Sequence, residues 1–122
     1  MEYSENKPIY LQITDRIMDD ILRDIYPLEG RLPSVREYAA SSEVNPNTVM
    51  RSFDWLQQHN IIFNKRGIGF FVVPEAKERI VDMRKEEFFN GEADFFFGRL
   101  KSLGISPENL SELYRRFLKE NE

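Results

Sequence analysis

The sequence has no cysteine and a single histidine, His59. The absence of thiols excludes a disulfide framework and a thiolate metal site, and one imidazole is too few for a zinc centre. No apolar run approaches the roughly 18 residues that a membrane span needs, and the first residues lack the basic and then apolar order of a secretory signal. We therefore expect a cytoplasmic protein with no metal, no cofactor and no membrane partner.

Groupings of residues that carry catalysis are also missing. The sequence offers no pairing of a nucleophile with a base, no phosphate-binding loop and no pair of carboxylates in an evident cleft. The segment Gly67-Ile68-Gly69 is too short for a dinucleotide-binding fingerprint. No catalytic residue is predicted, and an enzyme is the weakest of the functional hypotheses.

The formal net charge of −4 argues mildly against a nucleic-acid partner, but the charge is unevenly distributed. Residues 28–73 carry five basic and four acidic groups, whereas the segments on either side are acidic overall. Binding to phosphates depends on local charge, so a basic face on an acidic protein is sufficient. The middle of the chain is therefore where a nucleic-acid site is expected.

Three amphipathic helices are predicted in the first half of the chain. Isoleucine recurs every fourth residue from Ile9 to Ile25, which predicts an amphipathic first helix over residues 8–26. Ser34 and Glu37 fit a capping box at the start of a short second helix. A third helix is predicted to begin at Asn45, a good N-cap residue followed by proline.

The third helix has two distinct faces. Val49, Phe53 and Leu56 recur at helical spacing on one face and are predicted to be core residues. On a helical wheel of about 100° per residue, polar side chains point the opposite way. These outward side chains are Asn47, Arg51, Asp54 and Gln58, with Thr48 beside them.

The period of the apolar residues then changes to two. Residues 61–63 and 70–73 are β-prone runs separated by a glycine-containing turn, so we predict a hairpin that Pro74 ends. Beyond it, residues 75–103 are predicted to be a long helix that Gly91 and Gly98 could bend or break, followed by a last helix from Ser106. The predicted fold is mainly α with a small β-hairpin. It is a winged helix-turn-helix domain over residues 1–74, followed by a short two-helix dimerisation tail over residues 75–122.

This order of elements predicts binding to double-stranded DNA. The third helix is expected to enter the major groove with its N-terminal turns towards the base edges, and Arg51 is long enough to reach a guanine edge or a phosphate. The turn of the hairpin is expected to reach a neighbouring minor groove. The predicted DNA-binding residues are Ser34, Arg36, Asn45, Asn47, Thr48, Arg51, Lys65, Arg66 and Gly67.

Three motifs in this order resemble the GntR family of bacterial regulators, and in particular its YtrA-like subfamily. They are Leu32-Pro33-Ser34-Val35-Arg36-Glu37-Tyr38-Ala39, Val44-Asn45-Pro46-Asn47-Thr48-Val49 and Arg66-Gly67-Ile68-Gly69-Phe70-Phe71-Val72. The resemblance covers roughly residues 8–73 and implies a dimeric DNA-binding regulator, often a repressor. It implies DNA contacts at Ser34, Arg36, Asn47, Thr48, Arg66 and Gly67. The chain departs from many family members at Met50, where they have arginine; Arg51 follows, in a direction that differs by about 100°.

The tail is rich in phenylalanine, and these side chains are more than one short tail can bury alone. A small-molecule pocket is one interpretation, but packing against a second copy of the chain is favoured, since two-fold dimers are the commonest assemblies. The predicted dimer interface consists of Val81, Phe88, Phe89, Phe95, Phe96, Leu103, Leu113 and Phe117. If a small-molecule effector exists, this aromatic tail is where it is expected to bind.

The leading hypothesis is a homodimer that binds a near-palindromic operator, each subunit reading one half-site, with repression by occupancy of promoter DNA. The alternative is a winged helix that docks a protein partner instead of DNA, which the negative net charge favours.

Overall fold

The structure is a computed structural model, and it describes residues 7–122. The chain divides into two compact units, one ending at Asp82 and the other comprising Met83–Glu122. The elements in chain order are α1 (Ile9–Leu22), α2 (Val35–Ser42), α3 (Pro46–Gln58), β1 (Ile62–Lys65), β2 (Gly69–Val72), α4 (Ala76–Asn90), α5 (Glu92–Ser102) and α6 (Pro107–Glu120). The predicted domain boundary after residue 74 stays a prediction.

The core of the first unit forms where α1, α2 and α3 pack together. The predicted inner face of α3 is fully buried, with Val49, Phe53 and Leu56 all inaccessible to solvent. The ring of Phe53 makes edge-to-face contacts with Tyr38 of α2 and Phe70 of β2, with centroids 6.3 and 5.0 Å apart. One aromatic side chain of α3 therefore ties that helix to both the preceding helix and the hairpin.

The first helix is shorter than the isoleucine pattern predicts. It ends at Leu22, and Asp24 adopts a left-handed backbone conformation with φ of 62°. The chain therefore leaves the helix axis before Ile25, which is 53% exposed. Ile9 is 56% exposed because it lies in the first turn, ahead of the buried stripe that begins at Ile13. The predicted extension of the first helix to residue 26 was therefore wrong.

Both helix starts in the centre of the chain are capped as predicted. The Ser34 Oγ accepts a hydrogen bond from the Glu37 amide at 3.1 Å, and the Glu37 carboxylate accepts one from the Ser34 amide at 3.0 Å. Asn45 Oδ1 accepts from the Asn47 amide at 2.8 Å, with Pro46 in the first turn. These bonds satisfy amide groups that a helix start leaves unpaired, so the first residue of α3 is well defined.

The hairpin pairs β1 with β2 in antiparallel register, from Ile62 opposite Val72 to Lys65 opposite Gly69. A three-residue loop, residues 66–68, joins the strands, and the Ile68 amide closes it by donating to the Lys65 carbonyl at 2.9 Å. This loop and the adjoining strand ends are called the wing below.

The edge of β2 that does not pair with β1 is hydrogen-bonded to the extended segment that precedes α2. The Glu29 amide donates to the Val72 carbonyl at 2.9 Å, and the Val72 amide donates to the Gly30 carbonyl at 3.0 Å. The Leu32 amide donates to the Phe70 carbonyl at 2.9 Å. The entry to α2 and the hairpin are therefore parts of one hydrogen-bonded frame.

The C-terminal tail, residues 75–122, differs from the sequence prediction in its helix count. The long helix expected over residues 75–103 is broken at Gly91, which has φ of −132° and ψ of −89°, into α4 and α5. Gly98 stays inside α5, and the last helix, α6, is capped by Ser106, whose Oγ accepts from the Asn109 amide at 3.1 Å. The tail therefore contains three helices where two were predicted. None of the described helices combines the length and apolarity of a membrane span.

Candidate nucleic-acid interface

The N-terminal half of α3 presents a polar edge to solvent. Asn45, Asn47 and Arg51 are exposed and Thr48 is half-buried, while Val49 on the other side is completely buried. The arrangement follows from the helical period, since a face that packs in the core fixes which side chains point outwards. This edge is wide open in the protomer, as the predicted insertion into a groove requires.

Asn45 has a structural role at the start of α3. Its side-chain oxygen is engaged by the Asn47 amide, so it acts as the N-cap of α3. The side chains of Asn47 and Thr48 in the first turn are then the nearest polar groups to a duplex that approaches the helix start. Their contacts with DNA remain predictions, as does any contact by Asn45.

Arg51 does not simply extend into solvent. Its guanidinium lies over the ring of Tyr10, 4.1 Å from the centroid, in the first turn of α1. The next residue, Ser52, is buried and its Oγ donates to the Tyr10 carbonyl at 2.6 Å. The sequence analysis did not identify Tyr10. The one feature that could have indicated it is Ser52, a small polar residue on the buried side of α3 that needs a hydrogen-bond partner from another element.

The start of α2 supplies Ser34 and Arg36. The Ser34 hydroxyl oxygen is used as a cap acceptor, and Arg36 is exposed in the first helical turn. The hydrogen bond from the Ser34 backbone amide holds the pKa of Glu37 below its usual range, helped by the Ser34 side chain and the nearby Arg31 charge. The cap therefore keeps its carboxylate ionised, and Arg36 projects from a well-fixed turn.

The wing carries Lys65, Arg66 and Gly67, all exposed. The Lys65 ammonium lies 4.9 Å from the centroid of the Phe71 ring, which itself stacks on Phe63 at 5.8 Å. Gly67 has φ of 80°, which favours glycine, and a side chain added there would meet open space. Lys65 is thus held against the hairpin, while Arg66 lies within the loop.

A further cation, Arg31, lies at the base of the wing and was not among the predicted site residues. It forms a β-bridge with Phe71, and a Cβ atom added to Gly69 would lie 3.0 Å from the Arg31 Nε. Arg31 is exposed and directly precedes the first motif of the sequence. Only the pairing of residues 29–32 with β2, which the sequence pattern does not indicate, brings it to the wing.

The predicted dimer-interface residues are all solvent-exposed in the protomer, from 40% at Val81 and Leu113 to 72% at Phe95. Within the second unit, an open apolar cleft of about 960 Å³ lies among α4, α5 and α6. Its lining consists of Phe88, Phe89, Phe96, Phe97, Leu100, Ile105, Pro107, Leu110, Ser111, Leu113 and Tyr114. A cleft of this kind binds either apolar ligands or apolar side chains of a partner.

His59 lies at the C-terminal end of α3. Its ring stacks on Trp55 with centroids 3.8 Å apart, and Nδ1 lies 2.8 Å from the Trp55 carbonyl oxygen. Among residues 7–122, acidic and imidazole side chains form no cluster that could hold a metal ion.

Comparison with known proteins gives a consistent result. Residues 9–72 match the family model described as "Bacterial regulatory proteins, gntR family". The chain is 34% identical over 116 residues to the HTH-type transcriptional regulator YhcF of Bacillus subtilis, itself described as uncharacterized, covering 95% of this chain and 94% of the relative. It is 37% identical over 75 residues to the HTH-type transcriptional repressor YtrA of the same species, covering 62% and 58% respectively.

A solved structure supports the same assignment. The crystal structure of a protein assigned to the GntR family of transcriptional regulators, from Bacteroides thetaiotaomicron, superposes with a TM-score of 0.84 at 51% identity. The match covers 94% of this chain and 100% of that one. The predicted fold class, a winged helix-turn-helix followed by C-terminal helices, is confirmed.

Proposed function

Because the chain belongs to the GntR family of bacterial regulatory proteins, and is therefore a DNA-binding transcriptional regulator, we propose that it is a homodimeric repressor of a near-palindromic operator. The family resemblance predicted from its three motifs is confirmed. The single observation that carries the proposal is the exposed polar edge at the start of α3.

The proposed reading of sequence takes place at this edge. The major groove of B-form DNA is about 12 Å wide and accepts an α-helix of about 10–12 Å diameter. With α3 in the groove, Asn47 and Thr48 offer short donors and acceptors to the base edges. Their backbones are fixed by the Asn45 cap, so the side chains reach the bases from a defined position.

Phosphate contacts would hold the helix in register. Arg36 at the start of α2 and Lys65 and Arg66 on the wing are exposed cations on the same compact unit. The wing is proposed to enter a minor groove, where Gly67 allows the backbone to approach closely. The Ser34 hydroxyl, although used in capping, is proposed to share a phosphate through its own proton.

Dimerisation is proposed to occur through the tail. The eight predicted interface side chains are all partly open to solvent, and aromatic side chains dominate the energetics of interfaces when they become buried. A two-fold arrangement would place two α3 helices on half-sites about one helical turn or a little more apart. The apolar cleft is also where an effector is proposed to bind, since small-molecule sites have volumes of roughly 300–1,000 Å³.

Repression is supported by its similarity to one relative that is named a repressor, YtrA. A regulator that covers promoter DNA excludes the polymerase, so no activating surface is required. Such a protein would act in the cytoplasm, where the bacterial chromosome lies.

The proposal is tested by gel-shift titration of the full chain on the DNA upstream of its own gene. Arg36→Ala and Arg51→Ala should each weaken a salt-sensitive complex, while Arg99→Ala, an exposed cation of the tail, should not. Wild-type affinity in both helix-turn-helix variants would remove that motif from the mechanism. A stable protein partner with no DNA retention would favour the alternative of a protein-docking winged helix.

A further inference from the structure

The junction between α1 and α3 has a geometry that the predicted DNA contacts do not explain. Two consecutive residues of α3 turn towards one residue of α1. The Arg51 guanidinium covers the Tyr10 ring at 4.1 Å, and the Ser52 Oγ donates to the Tyr10 carbonyl at 2.6 Å. Tyr10 is fixed in turn, because its carbonyl also accepts from the Thr14 hydroxyl at 2.8 Å.

Stacking uses the face of a guanidinium and leaves its edges available. All five N–H groups of an arginine lie in the guanidinium plane, so a ring beneath that plane competes with none of them. Among residues 7–122, no carboxylate forms a salt bridge with Arg51. The cation therefore stacks on an aromatic ring, and no described carboxylate competes for its N–H donors.

The position of this cation distinguishes between the two contacts that its length allows. Asn47 and Thr48 lie at the tip of α3, whereas Arg51 is one turn further along and is drawn sideways onto the first turn of α1. A helix in the major groove has base edges in front of it and the sugar-phosphate backbones along its flanks. A side chain held on the flank faces phosphate.

We infer that Tyr10 is a positioning residue that holds Arg51 against the flank of α3 as a clamp for one backbone phosphate, so that the first turn of α1 forms part of the DNA-binding surface. The inference rests on the proposed insertion of α3 into the major groove. It predicts that Arg51 contributes to affinity on every sequence and not to the choice of base.

The test compares salt dependence and phosphate sensitivity in matched variants of the full chain. The plot of log affinity against log salt concentration has a negative slope, and each lost phosphate contact makes that slope less steep by about 0.9. Arg51→Ala should lose one contact per subunit, Tyr10→Leu should move towards the same slope, and Tyr10→Phe, which keeps the ring, should behave like wild type. Arg51→Ala should cause little further loss when it is added to Tyr10→Leu.

Methylphosphonate substitution then locates the contact. Replacing one phosphate at a time with a neutral group should reveal a position at which wild type and Tyr10→Phe lose affinity but Arg51→Ala does not. Tyr10→Leu should show reduced sensitivity at that position, and Asn47→Ala should keep the full wild-type sensitivity. Loss of base preference in Arg51→Ala without any change in phosphate sensitivity would overturn the inference.

One measurement needs no destabilising substitution. In the wild-type protein, the Nε–H resonance of Arg51 should be shifted by the Tyr10 ring and should move again when duplex is added, unlike that of Arg99. An Arg51 Nε–H resonance without a ring-induced shift, like that of Arg99, overturns the inference even if Tyr10→Leu fails to fold. If wild type binds DNA and Tyr10→Leu matches it in slope and in phosphate sensitivity, the clamp fails and the proposed function stands; if wild type binds no DNA, both fail.

Discussion

Phe95 offers the sharpest test of the proposed dimer. It is the most exposed of the large apolar side chains that the structure describes, at 72%, so removing it costs the isolated protomer little. Full burial of a phenylalanine side chain is worth about 1.5–3 kcal/mol. Scaling by the exposed fraction, and allowing for the methyl group that alanine keeps, leaves about 0.5–1.5 kcal/mol per copy for Phe95→Ala.

A two-fold interface contains each residue twice, so the predicted loss is about 1–3 kcal/mol per dimer. Each 1.4 kcal/mol is a factor of ten, and the dimer dissociation constant should therefore rise by about 5- to 150-fold. Sedimentation equilibrium over a range of protein concentrations measures this constant. Thermal unfolding followed by circular dichroism checks that the protomer stays folded.

Ile25 provides the control. It is 53% exposed, but it lies outside the tail and is not among the predicted interface residues. Ile25→Ala should weaken the dimer far less than Phe95→Ala. A dissociation constant within threefold of wild type for Phe95→Ala, or equal effects of the two variants, would refute this account of the tail.

Three further outcomes follow from the first unit. Hydrogen bonding from Ser34 lowers the pKa of Glu37. The cap therefore stabilises the fold fully above the unfolded pKa near 4.5 and loses this effect as the pH falls through the folded pKa. Glu37→Gln should reduce the dependence of the melting temperature on pH between about pH 5 and 3. Phe53→Ala empties a fully buried site and should cost about 3–5 kcal/mol in urea unfolding, against well under half of that for Phe53→Leu. Gly69→Ala combines φ of 144° with a 3.0 Å approach to Arg31 and should lower stability by more than Gly67→Ala, whose added methyl group meets open space; equal melting temperatures would contradict this ranking.

Local interactions explain what the sequence predicts well. The caps at Ser34 and Asn45 join residues two or three positions apart, so residue type and spacing are sufficient to place them. The buried face of α3 follows from a period that Val49 and Phe53 display directly. The order of these elements was then enough to predict the fold class.

Contacts between distant segments explain what was missed. Tyr10 and Arg51 meet only because α1 packs on α3, and no local pattern links them. The same holds for Arg31, which reaches Gly69 through the pairing of its segment with β2. The predicted end of α1 was too late because Ile25 continues the apolar period. The left-handed backbone conformation of Asp24, which ends the helical path before Ile25, leaves no trace in that period.

The hydrogen bonds that join residues 29–32 to β2 also limit the kind of duplex that the protein can grip. They prevent the base of the wing and the start of α2 from moving apart, so the distance between the Arg66 and Arg36 backbones is fixed. A-form helices have a deep, narrow major groove and a wide, shallow minor groove. A fixed distance that matches the grooves of B-form DNA therefore does not match those of an A-form helix. Rejection of double-stranded RNA would thus be a property of the backbone frame, requiring no side chain that senses a 2′-hydroxyl.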